Sequence, residues 1–90
     1  MTDWRPHWAK LESGLVALLE GLPSLPTEDR ASVLHYVDHN EYGLAFEELC
    51  SCLKQERLHI SSAQYEMLVN LQTMMKIQNV AESIRDLIER

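Results

Sequence analysis

The length, composition and charge of the chain limit the classes of protein to which it can belong. Its 90 residues suffice for one small domain spanning 1–90, and 46% hydrophobic residues exclude a disordered tail. Only three Gly and three Pro argue against a strand-and-turn architecture, and a formal net charge of −6 disfavours nucleic acid or an anionic membrane as a partner.

Hydrophobic spacing predicts two helices in the first forty residues. Apolar residues recur at three- and four-residue steps over about 3–20, and this stripe includes Trp4 and Trp8. Core packing of the two tryptophans is the favoured interpretation, and an exposed aromatic patch that binds a partner or a second copy is the alternative. Two prolines within 21–26 then break the helix, and a second helix is predicted over 27–40.

The third predicted helix, over about 41–57, has a broad apolar side and is therefore expected to be central in the fold. The residues predicted to point inward are Leu44, Ala45, Phe46, Leu49, Cys50, Cys52 and Leu53. Because residues two apart on a helix point about 200° away from each other, Cys50 and Cys52 make neither a metal clip nor a redox pair. We expect both thiols to be reduced and to fill the core.

Two capping signatures divide the last third of the chain. Ser61 followed by Gln64 has the form of a capping box at the start of a fourth helix that ends near residue 76, and Asn79 with Glu82 repeats this pattern before a fifth helix. Short connections favour antiparallel neighbours. The predicted fold class is therefore all-α, a small single-domain bundle of four to five short antiparallel helices.

No catalytic, cofactor or metal site is predicted. His35 and His39 have a helical spacing that can bind zinc, but Tyr36 stands where a zincin motif needs Glu, and a third ligand is not evident. Glu47 and Glu48 are adjacent, so they diverge by about 100° on a helix and make a poor acid–base pair. We therefore expect neither enzymatic activity nor a cofactor.

The location of the protein is predicted from the absence of two kinds of segment. No apolar run approaches the roughly 18–20 residues of a membrane span. Residues 1–8 lack the basic start and apolar core of a signal peptide. Both observations predict a cytoplasmic protein.

The charge imbalance is concentrated in residues 28–48. This window has six carboxylates and a single base, Arg30, so it nets −5, and no Lys or Arg occurs between Arg30 and Lys54. A local field of one sign speeds and orients association with a partner of the opposite sign. The residues predicted to bind that partner are Asp38, Glu41, Glu47 and Glu48, with Tyr36 and Tyr42 as aromatic anchors.

Part of this region resembles a known family. The segments are Gly43-Leu-Ala-Phe-Glu-Glu-Leu-Cys50, Leu53, Leu58-His-Ile-Ser61 and Tyr65-Glu66. Together they resemble the MafI-type immunity proteins of bacterial polymorphic toxin and contact-dependent growth-inhibition systems, in which a Leu-Ala-x-Glu-x-Leu-Cys helix precedes a short connector and a Tyr-bearing helix. The resemblance covers about 25 of the 90 residues.

The resemblance implies a small helical protein that binds and neutralises the C-terminal domain of a cognate toxin. Such toxins are often nucleases, frequently RNases, whose phosphate-binding surface is basic. The acidic window agrees with a basic partner of this kind. The alternative hypothesis is a helical adaptor or regulatory protein that docks a partner's helix or forms a homodimer through its first helix.

Overall fold

Residues 5–89 are described by the computed structural model, and they form an all-α fold, as predicted. The elements are α1 (Arg5–Glu20), α2 (Thr27–Asp38), α3 (Tyr42–Glu56), α4 (Ser62–Met74) and a short 3₁₀ helix (Ala81–Leu87). The predicted boundaries of the second and third helices agree with α2 and α3 to within two residues. The predicted start of the first helix, including Trp4, lies outside the described residues.

Helix α3 is central in the fold. It packs against α2, α1 and the 3₁₀ helix. Phe46, Leu49 and Leu53 are fully buried on its inner side, in a single cluster that draws residues from every element. The prediction from its broad apolar side is therefore confirmed.

Two large apolar residues that were predicted to point inward are exposed instead. Trp8 is 45% exposed and Leu44 is 48% exposed. Each lies in the first turn of its helix, α1 or α3, on the wall of a groove that no other described helix fills. Hydrophobic spacing identifies the side of a helix on which a residue lies, but it does not show how far along the helix the neighbouring elements extend.

Helices α1 and α4 approach closely at Gly14. A Cβ atom at this position would lie 2.8 Å from Leu71 Cδ2, closer than non-bonded carbon atoms normally approach. The missing side chain therefore lets Leu71, which is itself buried, pack directly against the α1 backbone.

The connection between α3 and α4 fastens the C-terminal segment to the core. Ile60 is 1% exposed. Its N–H donates to the carbonyl of Leu87 at 3.0 Å, and its own carbonyl accepts from the Glu89 N–H at 2.7 Å. These bonds form an isolated parallel bridge between Ile60 and Ile88, and the connector also contributes the buried Ile60 side chain to the core.

The capping box at the start of α4 is confirmed. The Ser61 side chain accepts a bond from the Gln64 N–H at 3.0 Å, and the Gln64 side chain accepts from the Ser61 N–H at 2.8 Å. These bonds satisfy two backbone donors that a helix start would otherwise leave unpaired.

The second predicted capping pair, Asn79 with Glu82, is wrong. Val80 occupies the N-cap of the 3₁₀ helix without a side-chain bond, and Asn79 has a left-handed φ of 67°. The buried side chain of Gln72 performs the capping instead. Its Oε1 accepts from the Ala81 N–H at 2.9 Å, and its Nε2 donates to Glu82 Oε1 at 2.7 Å.

Replacement of Ser61 by alanine is expected to lower the free energy of unfolding by about 1 kcal/mol, because it removes the oxygen that accepts from Gln64. Urea titration followed by circular dichroism measures this change. The matched control is Ser62→Ala, at an exposed neighbouring serine, which should change stability by less than about 0.5 kcal/mol. Equal losses in the two variants would contradict the capping role.

Candidate partner-binding surface

The turn between α2 and α3 exposes two of the predicted carboxylates. The Asn40 N–H donates to the carbonyl of Val37, and the Glu41 N–H donates to the carbonyl of Tyr36 at 2.9 Å. Asn40 has a left-handed φ of 58°, which asparagine tolerates better than most residues. Asp38 and Glu41, on either side of this turn, are both exposed.

Arg30, the single base of the acidic window, does not neutralise these carboxylates. Its guanidinium donates to the carbonyl of Leu19 at 2.6 Å and to the carbonyl of Leu22 at 2.7 Å. Leu19 lies in the last turn of α1 and Leu22 just beyond it, where the helix carries partial negative charge, so the arginine stabilises the end of α1. Over residues 5–89, no lysine or arginine forms an ion pair with Asp38 or Glu41.

Glu47 and Glu48 lie on different sides of α3, since adjacent helical residues diverge by about 100°. Glu48 is half-buried on the side of α2, where it shares a shallow pocket with Tyr36 and His35. It accepts a bond from Cys52 Sγ at 3.4 Å. Glu47 is exposed, lines a separate groove and has no ion pair with any described base.

That groove lies between the start of α1, the start of α3 and the end of α4, with a volume of about 500 Å³. Its apolar walls come from Trp8 and Leu11 on α1, Leu44 on α3, and Met74, Met75 and Ile77 at and beyond the end of α4. The polar residues Asn40, Tyr42, Glu47 and Lys76 complete the lining, together with His7. A groove of this size and mixed character is typical of a binding site.

The two tyrosines predicted as anchors are largely occupied within the fold. Tyr42 is 7% exposed, and its hydroxyl donates to Asn40 Oδ1 at 3.0 Å. Burial and the nearby Glu12 carboxylate raise the pKa of Tyr42. Tyr36 is half-buried, with its ring edge-on to His35 at a centroid distance of 5.8 Å.

The six residues predicted to bind a partner are therefore brought together in pairs. Tyr36 and Glu48 share the shallow pocket, Tyr42 and Glu47 share the groove, and Asp38 and Glu41 flank the turn. Contact of these residues with a partner stays a prediction. Hydrophobic spacing did not identify the groove, because it assigned Trp8 and Leu44 to the core.

The two cysteines are free thiols within the core, as predicted. Burial, with further contributions from nearby carboxylates, raises the pKa of each thiol to about 12, and at Cys52 these contributions include the bond to Glu48. Thiols in this state are poor nucleophiles and poor metal ligands, which need the thiolate. No group of three metal-ligating side chains occurs within residues 5–89, including the neighbourhood of His35 and His39.

We expect the native thiols to react with a disulfide reagent at pH 8 far more slowly than those of the urea-unfolded chain, because burial keeps them protonated and covered. The raised pKa also makes the free energy of unfolding depend on pH. The contribution of the protonated thiols is fully present below their unfolded pKa near 9 and is lost as the pH rises toward 12. Thiol titration of Cys50→Ala and Cys52→Ala assigns each rate. Equally fast labelling of native and unfolded chains would contradict the assignment.

None of the described helices is long and apolar enough to cross a membrane. Comparison of the chain with protein-family models, with curated proteins and with solved structures found no match in any of the three.

Proposed function

We propose that this chain is an immunity protein that binds and neutralises a bacterial toxin domain through its acidic surface. The observation that carries the proposal is the group of exposed carboxylates without basic partners, Asp38, Glu41 and Glu47, at and beside the α2–α3 turn. The one base of the acidic window, Arg30, is engaged at the end of α1. The negative field at this end is therefore available to a partner.

The toxin proposed is a nuclease, and specifically an RNase. An enzyme that cleaves a polyanion needs basic residues to hold phosphates, and an acidic protein can cover that surface. The resemblance of residues 41–65 to MafI-type immunity proteins supports the same function. In this proposal the protein works in the cytoplasm, as a small bundle whose neighbouring helices run antiparallel, without catalytic activity or a cofactor.

Co-expression tests this function. A candidate toxin domain, identified as a gene neighbour of this chain or by co-purification with it, is expressed under an inducible promoter, with and without the chain, and growth and purified-complex affinity are measured. We expect the chain to restore growth and to bind with a nanomolar or lower Kd, with an association rate that falls as salt is added. Growth arrest despite a folded, co-expressed chain would refute the proposal.

A second function, docking of a partner helix or formation of a homodimer, is favoured by a different observation. Trp8 and Leu44 are exposed and line one groove with other apolar residues, and contiguous exposed apolar patches mark interaction sites. Sedimentation over a range of concentrations tests the homodimer. A dimer that is lost in Trp8→Ala would favour this function, and a monomer at all concentrations would exclude self-association.

A further inference from the structure

The groove between α1, α3 and α4 combines an exposed aromatic ring with a carboxylate that has no described basic partner. Trp8 lies on the α1 wall. Leu44 and Glu47 are three residues apart on α3, so they lie on one face of that helix, and both line the groove. An apolar wall beside an acidic group suits a side chain that is itself part apolar and part cationic.

The charges around the groove indicate the sign of the charge on the group that binds there. Glu47 lines it from α3, and Glu12 on α1 lies close enough to raise the pKa of Tyr42. Lys76, just beyond the end of α4, also lines the groove, so the excess of negative charge comes from α3 and the α2–α3 turn, where the exposed Glu41 stands between the lining residues Asn40 and Tyr42. A second copy of the chain would bring a further net charge of −6, which opposes self-association here.

We propose that this groove takes an arginine side chain of the basic partner, with its guanidinium over the Trp8 ring and hydrogen-bonded to the Glu47 carboxylate. The aliphatic stem of the arginine packs against Leu44 and Ile77, which line the same groove. The inference rests on the proposed function, because that function supplies a partner with a basic surface. It adds a specific anchoring position beside the turn carboxylates Asp38 and Glu41.

The chemistry of guanidinium explains why arginine is preferred to lysine. Its planar group stacks on an indole face while its edge donates two parallel bonds to a carboxylate, and it is less strongly hydrated than an ammonium. Trp8, on α1, and Glu47, on α3, line one groove and offer one surface for each of these contacts. Lysine provides a single compact charge and loses the stacking contribution.

A peptide titration tests the proposal without the toxin. The probe is the capped pentapeptide acetyl-Leu-Arg-Leu-Arg-Leu-amide, compared with versions that carry lysine or uncharged citrulline in place of both arginines. Binding to the ¹⁵N-labelled full chain is followed by amide chemical shifts. We expect shifts concentrated at residues 8, 44, 47 and 75–77, with affinity in the order arginine, lysine, citrulline.

Two variants are expected to weaken binding of the arginine peptide by about threefold to tenfold each, Trp8→Ala through the ring and Glu47→Gln through the charge. Both positions are exposed, so the fold is retained, and circular dichroism checks this. Glu20→Gln, an exposed position at the far end of α1, removes the same charge and should leave the affinity unchanged.

Several outcomes would overturn the proposal. These are equal binding of the citrulline and arginine peptides, shifts confined to other residues, or an unchanged affinity in Glu47→Gln. Tighter binding of an uncharged apolar helical peptide would assign the groove to helix docking instead. A negative peptide titration would not change the outcome of the growth test, and failure of the chain to restore growth would not change the peptide result. The two inferences can therefore fail separately.

Discussion

Reversal of Asp38 and Glu41 to lysine is expected to slow association with the proposed toxin partner by about 10- to 100-fold at low salt. The two residues flank the α2–α3 turn, both are exposed, and neither forms an ion pair with a described base. Their replacement therefore inverts the field at that end without breaking a bond in the fold. Stopped-flow mixing with the purified toxin domain measures the association rate constant.

The matched control changes the net charge by the same amount elsewhere on the molecule. Glu20 lies at the end of α1 and Glu66 on α4, and both are exposed. The double variant Glu20→Lys/Glu66→Lys should associate within about threefold of the unmodified chain, because its changes lie on other faces. Equal slowing in the two double variants would mean that net charge alone governs association and would remove the basis for a localised surface.

Among substitutions of polar residues, replacement of Gln72 is expected to lower the stability of the fold most. Gln72→Met should lower the free energy of unfolding by about 2–3 kcal/mol, because the buried Ala81 N–H loses its acceptor and Glu82 loses a donor. Methionine keeps the length and the helix preference of glutamine, so the loss reports the bonds and not a cavity. Urea denaturation measures the change in free energy.

The destabilisation caused by Gln72→Met should be greatest in the 3₁₀ helix. Amide exchange should accelerate most over 81–87, since the 3₁₀ helix depends on Gln72 for its start. The control is Gln55→Met on an exposed position of α3, which should alter stability by less than about 0.5 kcal/mol. A loss at Gln72 no larger than at Gln55 would show that the buried bonds contribute little.

The two expected results concern different parts of the molecule, the packing of the C-terminal segment and the candidate partner-binding surface. Gln72 and the Ile60 bridge hold the C-terminal segment against the core, whereas the turn carboxylates and the groove lie at the ends of α1, α3 and α4. A surface for a partner is best built on helices whose core is independently fixed. Core variants are therefore expected to change stability without changing association, and surface variants the reverse.

Local rules allowed much of this fold to be predicted. The Ser61–Gln64 capping box, the breaks near the prolines and the buried Cys50 and Cys52 depend on contacts within about four residues or on one apolar stripe. The same rules failed at Asn79, where spacing matched a capping box but a residue seven positions earlier in the chain, Gln72, performs the capping. A two-residue pattern in the sequence gives no information about a side chain that tertiary packing brings to the same helix start.

The candidate partner-binding surface was also predicted from the sequence only in part. The excess of carboxylates over 28–48 is a property of the sequence alone, and it holds whatever the fold. Whether the charge is free or compensated depends on Arg30, whose partners Leu19 and Leu22 are set by how α2 lies against the end of α1.

By itself, the sequence determined the helices, their apolar sides and the sign of the surface, because helical hydrogen bonding and side-chain spacing are local. Only the tertiary structure decided that Glu47 lines the groove whereas Glu48 shares a pocket with α2 residues, and that Trp8 and Leu44 are left uncovered. Those outcomes depend on where neighbouring helices end, which the balance of packing over the whole core sets and no single segment encodes.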